Sequence, residues 1–325
     1  MKALVTGSNG FIGSFLVEAL LQRNVEVCCL VRKTSNLRWI QHLPVEIAIG
    51  TLFDEDFLSS AIADVDLVFH LAGATKARNR ADFFRSNTEA TKNLLKVCLN
   101  KTSPPKFVFV SSLAAAGPSS TTTPLIETDT PRPITMYGES KWAAEKLVHD
   151  YMKQAPATII RPPAVYGPRD SDILAFFRLI KRGVCLIPGY SINAVSIVHV
   201  DDLVQGIIKA GFSDKADSRT YFVCNDSDIN WEHIGSVIAR AMQKKIVTLH
   251  MPLIFTRITA IFSELWSRVN CKPALINFDK ARDIRQPYWI CSNQNIKKDL
   301  GFVQQVSLEE GTKQTVEWYT ENKWL

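Results

Sequence analysis

Two side chains four residues apart, Tyr137 and Lys141 in the segment YGESK, have the types and spacing for proton transfer. In a helix this spacing places both side chains on one face. A free tyrosine has a pKa of about 10 and is a poor base at neutral pH. An ammonium group one turn away favours the phenolate. The pair therefore predicts a tyrosine with a lowered pKa that exchanges a proton with a substrate oxygen.

A second pair with the same spacing, Tyr319 and Lys323, lies near the C-terminus with no strand or glycine-rich turn beside it. We interpret that copy as part of a surface helix. The first copy differs because a strand-like run, FVFV, ends upstream of it in Ser111 and Ser112. Ligands of α/β sheets bind at the carboxyl ends of strands, so the Ser112 hydroxyl is predicted to bond the reacting oxygen. The alternative is that Ser112 only ends the strand.

A glycine-rich turn at the N-terminus predicts where a cofactor binds. Gly7, Gly10 and Gly13 follow the strand-like segment LVT and begin the next helical pattern. In such a βαβ turn the first glycine permits a tight turn, the second admits a pyrophosphate and the third allows close packing of helix on strand. The free N–H groups of the helix then bind the phosphates. With Tyr137 and Lys141, the turn predicts hydride chemistry on a nicotinamide dinucleotide, with the lysine also holding its ribose.

The end of the second strand indicates which dinucleotide binds. NAD-binding folds place an acidic residue about 20 residues past the glycines, whereas an arginine there suits the 2′-phosphate of NADP. Here the strand ends in Arg32 and Lys33, and no carboxylate occurs between Glu26 and Glu46. These residues favour NADP, with NAD as the alternative if the two cations are only solvated.

The elements that must position these groups follow from apolar periodicity. Strand-like runs bounded by turns alternate with helical patterns. Strands are predicted near 2–6, 26–31, 45–49, 66–71, 106–111 and 157–161, and helices near 11–22, 55–63, 80–100 and 135–154. This alternation predicts an α/β fold, a Rossmann-type doubly wound parallel sheet. The segment after Ser112, residues 113–117, is interpreted as further strand.

Beyond the sheet the pattern becomes irregular. A helix is predicted near 170–182, a strand and helix near 195–211, and a strand near 219–224, with the last hundred residues mainly helical. We predict a dinucleotide-binding domain over residues 1–165, rejoined by 195–225. A smaller, mostly helical substrate-binding lobe is predicted over 166–194 and 226–325.

Composition narrows the class of protein. The chain has 325 residues, 46% of them hydrophobic and 22% charged, as in ordinary globular proteins. The net charge of +6 is spread along the chain and gives no support for nucleic-acid binding. Seven dispersed cysteines without a metal-binding pattern predict buried, reduced thiols, no metal site and a cytoplasmic location. No signal peptide is expected, and the most apolar stretch, 251–266, is too short and too charged to span a bilayer.

These motifs together resemble the extended short-chain dehydrogenase/reductase superfamily, which includes nucleotide-sugar epimerases, dihydroflavonol-type reductases and 3β-hydroxysteroid-type dehydrogenases. The resemblance rests on TGSNGFIG, HLAG ending the fourth strand, Asn87 in a helix, the paired serines, YGESK and RPPAVYGP. It implies a Ser112–Tyr137–Lys141 triad and a structural or cofactor-side role for Asn87. The cofactor contacts that the turn and the resemblance imply are Gly7, Asn9, Gly10, Phe11, Ile12, Gly13, Arg32, Lys33, Leu52, Leu71, Ala72, Gly73, Tyr137, Lys141, Pro162 and Val165. It also implies a homodimer formed through the helices near 80–100 and 135–154.

The sequence departs from the family pattern at three places. Gly-Thr-Leu at 50–52 replaces the usual Gly-Asp-Leu, the segment after Ser112 lacks Val-Tyr-Gly, and residues 193–196 lack the Arg-Asp-aromatic segment of sugar-nucleotide enzymes. His199, which follows, is interpreted as structural.

The C-terminal third indicates the substrate class. A mostly apolar helical pattern with one narrow polar stripe covers 253–269, as expected of a helix that is buried or that covers an apolar pocket. A membrane-surface role for this helix is an alternative. We therefore predict a small apolar substrate of steroid, flavonoid or isoprenoid type whose CH–OH or C=O group is oxidised or reduced. Four arginines, Arg161, Arg169, Arg178 and Arg182, keep a nucleotide-sugar epimerase or dehydratase open.

Overall fold

Alternating apolar runs and amphipathic segments fold into alternating strands and helices. The structure is a computed structural model, and it describes residues 1–189, 194–252 and 282–325. The strands are β1 (Lys2–Thr6), β2 (Glu26–Val31), β3 (Glu46–Ile49), β4 (Leu67–His70), β5 (Lys106–Val110), β6 (Ala157–Arg161), β7 (Ala164–Tyr166), β8 (Val184–Pro188), β9 (Ala194–Val195), β10 (Ile197–His199), β11 (Arg219–Phe222), β12 (Val247–Met251) and β13 (Tyr288–Trp289). The helices of the described residues are α1 (Phe11–Leu21), α2 (Glu55–Ala61), α3 (Arg80–Phe84), α4 (Ala90–Leu99), α5 (Leu113–Ala116), α6 (Met136–Tyr151), α7 (Leu174–Lys181), α8 (Val200–Gly211), α9 (Trp231–Ala241), α10 (Gln294–Leu300) and α11 (Leu308–Glu321).

Seven strands form one sheet in the order β11-β6-β5-β4-β1-β2-β3, and every pair is parallel. The prediction of a doubly wound parallel sheet with six strands before residue 165 is confirmed. From β1 the chain builds outward to β3 on one side and, from β4, to β11 on the other. The order reverses between β1 and β4, and the crevice outside their carboxyl ends is where such sheets bind ligands.

Both faces of the sheet are covered, which explains why its strands are nearly continuous apolar runs. Side chains alternate between faces along a strand, so Ala3 and Val5 belong to one core cluster and Leu4 to the other. The first cluster includes residues of α1 and α8, and the second includes residues of α2, α4 and α6. The sheet is therefore held rigidly between two apolar layers.

Two predictions, one of a helix and one of a strand, need correction. The helix predicted over 80–100 is divided, because residues Arg85–Glu89 form a π-helical turn between α3 and α4. The segment after Ser112 is the short helix α5, not strand. Ser112 itself caps that helix, and its hydroxyl accepts from the N–H of Ala114 at 3.1 Å. Serine is a preferred N-cap residue and the alanines that follow are good helix formers, so local preferences explain the helix.

Outside the sheet, a third cluster of buried apolar residues joins α7, α9 and α11. Three pairs of short parallel strands accompany it: β7 with β10, β8 with β12, and β9 with β13. The prediction that the last hundred residues are mainly helical omitted β12 and β13. The apolar segment 253–269, on which the substrate prediction depends, lies outside the described residues.

Six cysteines are buried free thiols in the part of the chain that the structure describes: Cys28, Cys29, Cys98, Cys185, Cys224 and Cys291. Over the same residues no helix has both the length and the apolar character to cross a membrane. His199 is buried at the start of α8, where its Nδ1 accepts from the N–H of Asp201 at 3.4 Å. That contact is consistent with a structural role.

Candidate active site

The turn between β1 and α1 has the conformation that its glycines permit. Gly7 has φ +71°, and the N–H of Gly10 donates to its carbonyl at 3.0 Å. A Cβ on Gly13 would lie 2.1 Å from the Gly7 oxygen, so only glycine allows the helix this close. No side chain caps the start of α1, and its first turn carries no acidic residue. The N–H groups of Phe11 and Ile12 are thus suited to phosphate oxygens, and the turn fits a dinucleotide pyrophosphate.

The loop after β4 forms the other wall of the crevice. The N–H of Leu71 donates to the Thr6 carbonyl at 3.2 Å, and the N–H of Ala72 donates to the Thr6 hydroxyl at 3.1 Å. A Cβ on Gly7 would lie 2.8 Å from the Ala72 nitrogen. The glycine turn and residues 71–73 are therefore in direct contact, and Gly73 is exposed at the far end of this loop.

The loop after β2 carries the residues predicted to select the dinucleotide. Arg32 and Lys33 are both exposed, and the backbone N–H of Arg32 donates to the Ser35 hydroxyl at 3.1 Å. The side-chain amide of Asn9 donates to the Asn36 carbonyl at 3.3 Å, which ties this loop to the glycine turn. The two cations are thus on a loop fixed beside the predicted pyrophosphate site.

The remaining predicted cofactor contacts lie at either side of this crevice. Leu52 follows β3, and its carbonyl accepts from the side-chain amide of Asn93 at 3.0 Å. Pro162 follows β6 and is buried, and its carbonyl accepts from the N–H of Leu113 at 2.8 Å. Val165 lies on β7, paired with Val198. An extended ligand bound across the carboxyl edge of the sheet would reach from Leu52 at one side to Pro162 and Val165 at the other.

Ser112 and Tyr137 meet at this edge. The hydroxyl of Thr135 caps α6 by accepting from the N–H of Gly138 at 3.0 Å, so the helix begins at Met136 and Tyr137 lies in its first turn. The Ser112 hydroxyl lies close enough to the phenol of Tyr137 to lower its pKa. The structure therefore brings together two residues that are 25 positions apart and were predicted to share a substrate oxygen.

Lys141 lies one turn further along α6 and is 4% exposed. Its ammonium group donates to the Val110 carbonyl at 2.8 Å and lies 4.2 Å from the centre of the Phe109 ring. A Cβ on Gly73 would lie 4.0 Å from the Lys141 nitrogen, so the lysine faces the cofactor loop. This position suits a group that holds a ribose near the phenol of Tyr137.

The electrostatics of the pair differ from the sequence expectation. The pKa of Tyr137 is raised to about 12, chiefly because the side chain is buried. The Ser112 hydroxyl lowers this pKa, and the charge of Asp172 raises it. Burial lowers the pKa of Lys141 to about 7, and the charge of Glu145 opposes this. The predicted lowering of the tyrosine pKa is therefore wrong for the protein's own residues, because desolvation disfavours both charged forms.

A buried polar network, which the sequence reasoning missed, supports these groups from behind. His70, fully buried at the end of β4, stacks on the Phe109 ring with centroids 5.7 Å apart. Its Nδ1 is 2.7 Å from the Thr6 hydroxyl, and its Nε2 is 2.9 Å from the Thr91 hydroxyl. Thr91 donates to the Asn87 carbonyl at 2.6 Å, so it must accept from Nε2–H of the imidazole. The network thus assigns a neutral imidazole with its proton on Nε2.

Asn87 continues the network to the catalytic helix. Its side-chain oxygen accepts from the N–H of Ala74 at 2.7 Å, and its amide donates to the Ala74 carbonyl at 3.1 Å and to the Ser140 hydroxyl at 2.8 Å. Ser140 in turn donates to the Tyr137 carbonyl at 2.7 Å. The amide therefore joins the loop after β4 to the first turn of α6. Polar residues at strand ends, such as Thr6 and His70, are the sequence signal that could have indicated this network.

The second tyrosine–lysine pair has no such setting. Tyr319 is fully buried, and its hydroxyl donates to the Asp170 carbonyl at 2.6 Å. Lys323 is exposed beyond the end of α11 with φ +58°. The prediction of a surface helix was wrong for Tyr319, because the apolar face of α11 packs into the third cluster.

A doubly wound sheet with a glycine turn at its switch point, beside a serine, a tyrosine and a lysine, defines a Rossmann-type enzyme that depends on a nicotinamide dinucleotide. Residues 3–224 match the model of the NAD dependent epimerase/dehydratase family, and the chain belongs to that family. It is therefore an enzyme of the extended short-chain dehydrogenase/reductase type, whose members include reductases, dehydrogenases, epimerases and dehydratases.

Similar proteins include both reductases and epimerases. The chain is 27% identical to the ceramide reductase of Caulobacter vibrioides, with 99% of this chain and 95% of the relative covered. It is 24% identical to the N-acetyl-alpha-D-glucosaminyl-diphospho-ditrans,octacis-undecaprenol 4-epimerase of Escherichia coli O157:H7, with 98% and 95% covered. The structure of the UDP-glucose 4-epimerase of Thermotoga maritima with UDP-glucose matches with a TM-score of 0.82 at 23% identity, over 99% of this chain and 100% of that one. This last likeness concerns the fold.

Proposed function

We propose that this protein is an NADP-dependent oxidoreductase that interconverts a CH–OH and a C=O group of an apolar substrate through Ser112, Tyr137 and Lys141. The observation that carries the proposal is that Ser112 and Tyr137 meet at the carboxyl edge of the sheet, where the start of α6 packs directly against α5. Lys141 faces the same crevice one helical turn away. Hydride chemistry needs a proton donor and an orienting hydroxyl at one oxygen, and these residues supply both.

The three side chains divide the work. The dinucleotide, when bound, supplies or accepts the hydride. Ser112 donates to the substrate oxygen and orients it, while Tyr137 passes its proton to that oxygen in reduction and takes it back in oxidation. Lys141 holds the ribose hydroxyls, and its charge near the phenol favours the phenolate that reduction leaves behind. Because burial raises its pKa to about 12, the Tyr137 phenol is protonated at neutral pH and so carries the proton that reduction requires.

The test compares Tyr137→Phe with wild type. The variant should lose about 10²–10⁴-fold in turnover, because only the proton-transfer hydroxyl is removed, and keep nearly the same dinucleotide affinity. Lys141→Ala should weaken both turnover and binding. Turnover is followed by reduced-nicotinamide absorbance and binding by tryptophan fluorescence. Tyr319→Phe is the matched control and should keep its turnover at temperatures where it stays folded. An active Tyr137→Phe with an inactive Tyr319→Phe would reverse the assignment.

NADP is the proposed cofactor because of the charges on the loop after β2. Arg32 and Lys33 are exposed cations beside the Ser35 hydroxyl and the Asn36 backbone, on a loop that Asn9 ties to the glycine turn. A 2′-phosphate is recognised by such groups, and the planar guanidinium of arginine can bond it with two N–H groups at once. NAD is the alternative.

An apolar substrate is proposed on the pattern of residues 253–269 and on the relatives. The names of two similar proteins refer to lipids: one is a ceramide reductase, and the other is a 4-epimerase of an N-acetylglucosaminyl group joined through a diphosphate to undecaprenol. The second candidate is therefore an epimerase or dehydratase that returns the hydride to its substrate. Incubation with NADPH and a long-chain ketone, a steroid ketone or UDP-glucose separates them. A reductase consumes absorbance at the nicotinamide band, whereas an epimerase changes the sugar and leaves that absorbance unchanged.

We also propose which parts of the chain bind the dinucleotide and which bind the substrate. Residues 1–165 with 195–225 would bind the dinucleotide, and 166–194 with 226–325 would hold the substrate against it. The third apolar cluster supports this division, because it draws its residues mainly from the second set.

We further propose a homodimer through the outer faces of α3 and α6. A groove of about 380 Å³ lies between these helices, lined by Arg80, Phe84, Trp142 and Lys146 among others. An aromatic groove bordered by charged side chains has the composition of a protein interface.

A further inference from the structure

A buried ion pair that neither motif nor mechanism explains lies behind the proposed triad. Glu145 is fully buried and Arg161 is 3% exposed at its side chain. The guanidinium Nε donates to Glu145 Oε1 at 3.0 Å, and Nη2 donates to Oε2 at 2.6 Å. The Ser111 hydroxyl also donates to Glu145 Oε1. Burying two charges is costly, so a pair this enclosed needs good geometry in return, and these contacts provide it.

Each member of the cluster is next to a proposed site residue on a different element. Ser111 precedes Ser112 at the end of β5, Glu145 lies one turn beyond Lys141 on α6, and Arg161 ends β6. The three hydrogen-bonding residues therefore join two neighbouring strand ends to the helix that carries the tyrosine and lysine. No other contact between charged side chains within the described residues is so completely buried.

Glu145 lies four residues after Lys141 on α6, so the two side chains project from the same face of the helix, one turn apart. Burial lowers the pKa of Lys141 to about 7, and the Glu145 carboxylate is the group that opposes this. Of the other groups that face the lysine, His70 on β4 is buried and its pKa is lowered to about 3, so it is neutral. Tyr137 on the same helix is also neutral at ordinary pH, because its pKa is raised to about 12. Arg161 on β6 bonds both carboxylate oxygens of Glu145 and therefore offsets part of the negative charge near the lysine.

We propose that Glu145 is a positioning residue for Lys141: with Arg161 and Ser111 it fixes α6 against the ends of β5 and β6 and supplies the negative charge that keeps the lysine ammonium protonated in a buried site. Arg161 is the hydrogen-bonded counter-charge of that carboxylate. The proposal rests on the role proposed above for Lys141, but the pKa of that lysine can be measured without any assay of catalysis.

The experiment is a titration of Lys141 in the full chain labelled with ¹³C at the lysine ε-carbon. The resonance that disappears in Lys141→Ala assigns the signal, and its pH dependence gives the pKa. Glu145→Gln keeps the shape of the side chain and removes its charge. An opposite charge at close range shifts a pKa by about 1–3 units, so the variant's titration should move at least about one pH unit lower.

Two further variants control the result. Glu145→Gln with Arg161→Gln removes both charges, so its lysine should titrate between wild type and the single variant, and it keeps the test open if the single variant does not fold. Glu139→Gln removes a carboxylate of the same helix that pairs with Arg80 at the surface and should leave the titration in place. Circular dichroism checks folding in each case.

The outcomes are separable. If Lys141 titrates at the same pH in wild type, Glu145→Gln and the double variant, the inference is overturned and the ion pair serves stability only. If Tyr137→Phe keeps full turnover while the titration moves as expected, the proposed function fails and the electrostatic inference stands.

Discussion

The neutral state of His70 leads to a quantitative expectation for acid stability. Its imidazole is fully buried, its two nitrogens bond the hydroxyls of Thr6 and Thr91, and burial lowers its pKa from 6.5 to about 3, with the charge of Lys141 as a second cause. Between those two pH values the unfolded chain binds a proton that the folded chain does not. The contribution of this imidazole to the free energy of unfolding is therefore fully present above about pH 6.5 and is lost as the pH falls toward 3.

The size of the loss follows from the two pKa values. At pH 4.5 the unfolded imidazole is protonated about 100:1 while the folded one is almost entirely neutral, so the free energy of unfolding falls by RT ln 100, about 2.7 kcal/mol, relative to pH 8. In His70→Gln this contribution is absent, because glutamine does not titrate, although its amide can accept from one threonine and donate to the other. Carboxylates titrate in both proteins and cancel in the difference.

The assay is urea unfolding followed by tryptophan fluorescence, at pH 8 and pH 4.5. Wild type should lose about 2.7 kcal/mol more than His70→Gln between the two. His42→Gln, at an exposed position, is the matched control and should follow wild type. Parallel losses in wild type and His70→Gln would mean that the imidazole is not held neutral, and the assignment of Nδ1 as the acceptor from the Thr6 hydroxyl would fall with it.

Three other expectations concern the cofactor, the C-terminal helix and the assembly. Arg32→Asp should weaken NADP binding by a few kcal/mol, at about 1.5–3 kcal/mol for each charged hydrogen bond lost, while NAD binding holds or improves; titration with both dinucleotides at fixed salt measures this, and a wild type that prefers NAD tenfold would refute the NADP assignment. Tyr319→Phe should cost about 1–3 kcal/mol in urea unfolding without loss of turnover, because it leaves the buried Asp170 carbonyl without its donor; an unchanged midpoint would contradict this. Light scattering at micromolar concentration should give twice the 36.4 kDa chain mass, and a monomer mass would count against the dimer.

The parts of the fold that sequence predicted well are those where local pattern and packing agree. Strands β1, β2, β4, β5 and β6 are largely buried on both faces and appear as apolar runs bounded by turns, whereas the edge strand β3 is only partly buried. Gly7 and Gly13 occupy positions where a Cβ would clash. The division of the helix at 85–89 was missed because these five residues are all polar and carry no apolar period that could distinguish a π-helical turn from an α-helix. The short helix after Ser112 was missed because four residues are too few to show a period.

The sequence was enough to predict which residues form the site, but not which contacts their side chains make. Ser112, Tyr137 and Lys141 carry the chemistry in their own side chains, so spacing along a strand and a helix is enough to propose them. Glu145 and His70 are held by hydrogen-bond partners on other elements, and those partners are known only once the sheet has brought the strand ends together. Whether the pKa of Tyr137 is raised or lowered also depends on how far the side chain is buried, which the sequence alone does not show.

Because residues 85–89 form a π-helical turn, the orientation of Asn87 depends on the number of residues between α3 and α4 as well as on their identity. A π turn accommodates one residue more than an α turn, and each residue of a helix advances it by about 100°. Asn87 lies in the middle of this turn, with its amide bonded to Ala74 and Ser140. Removing any one neighbour would restore a regular helix yet rotate Asn87 away from both partners, so a single-codon deletion here would disconnect the cofactor loop from the catalytic helix without altering a single residue of the site.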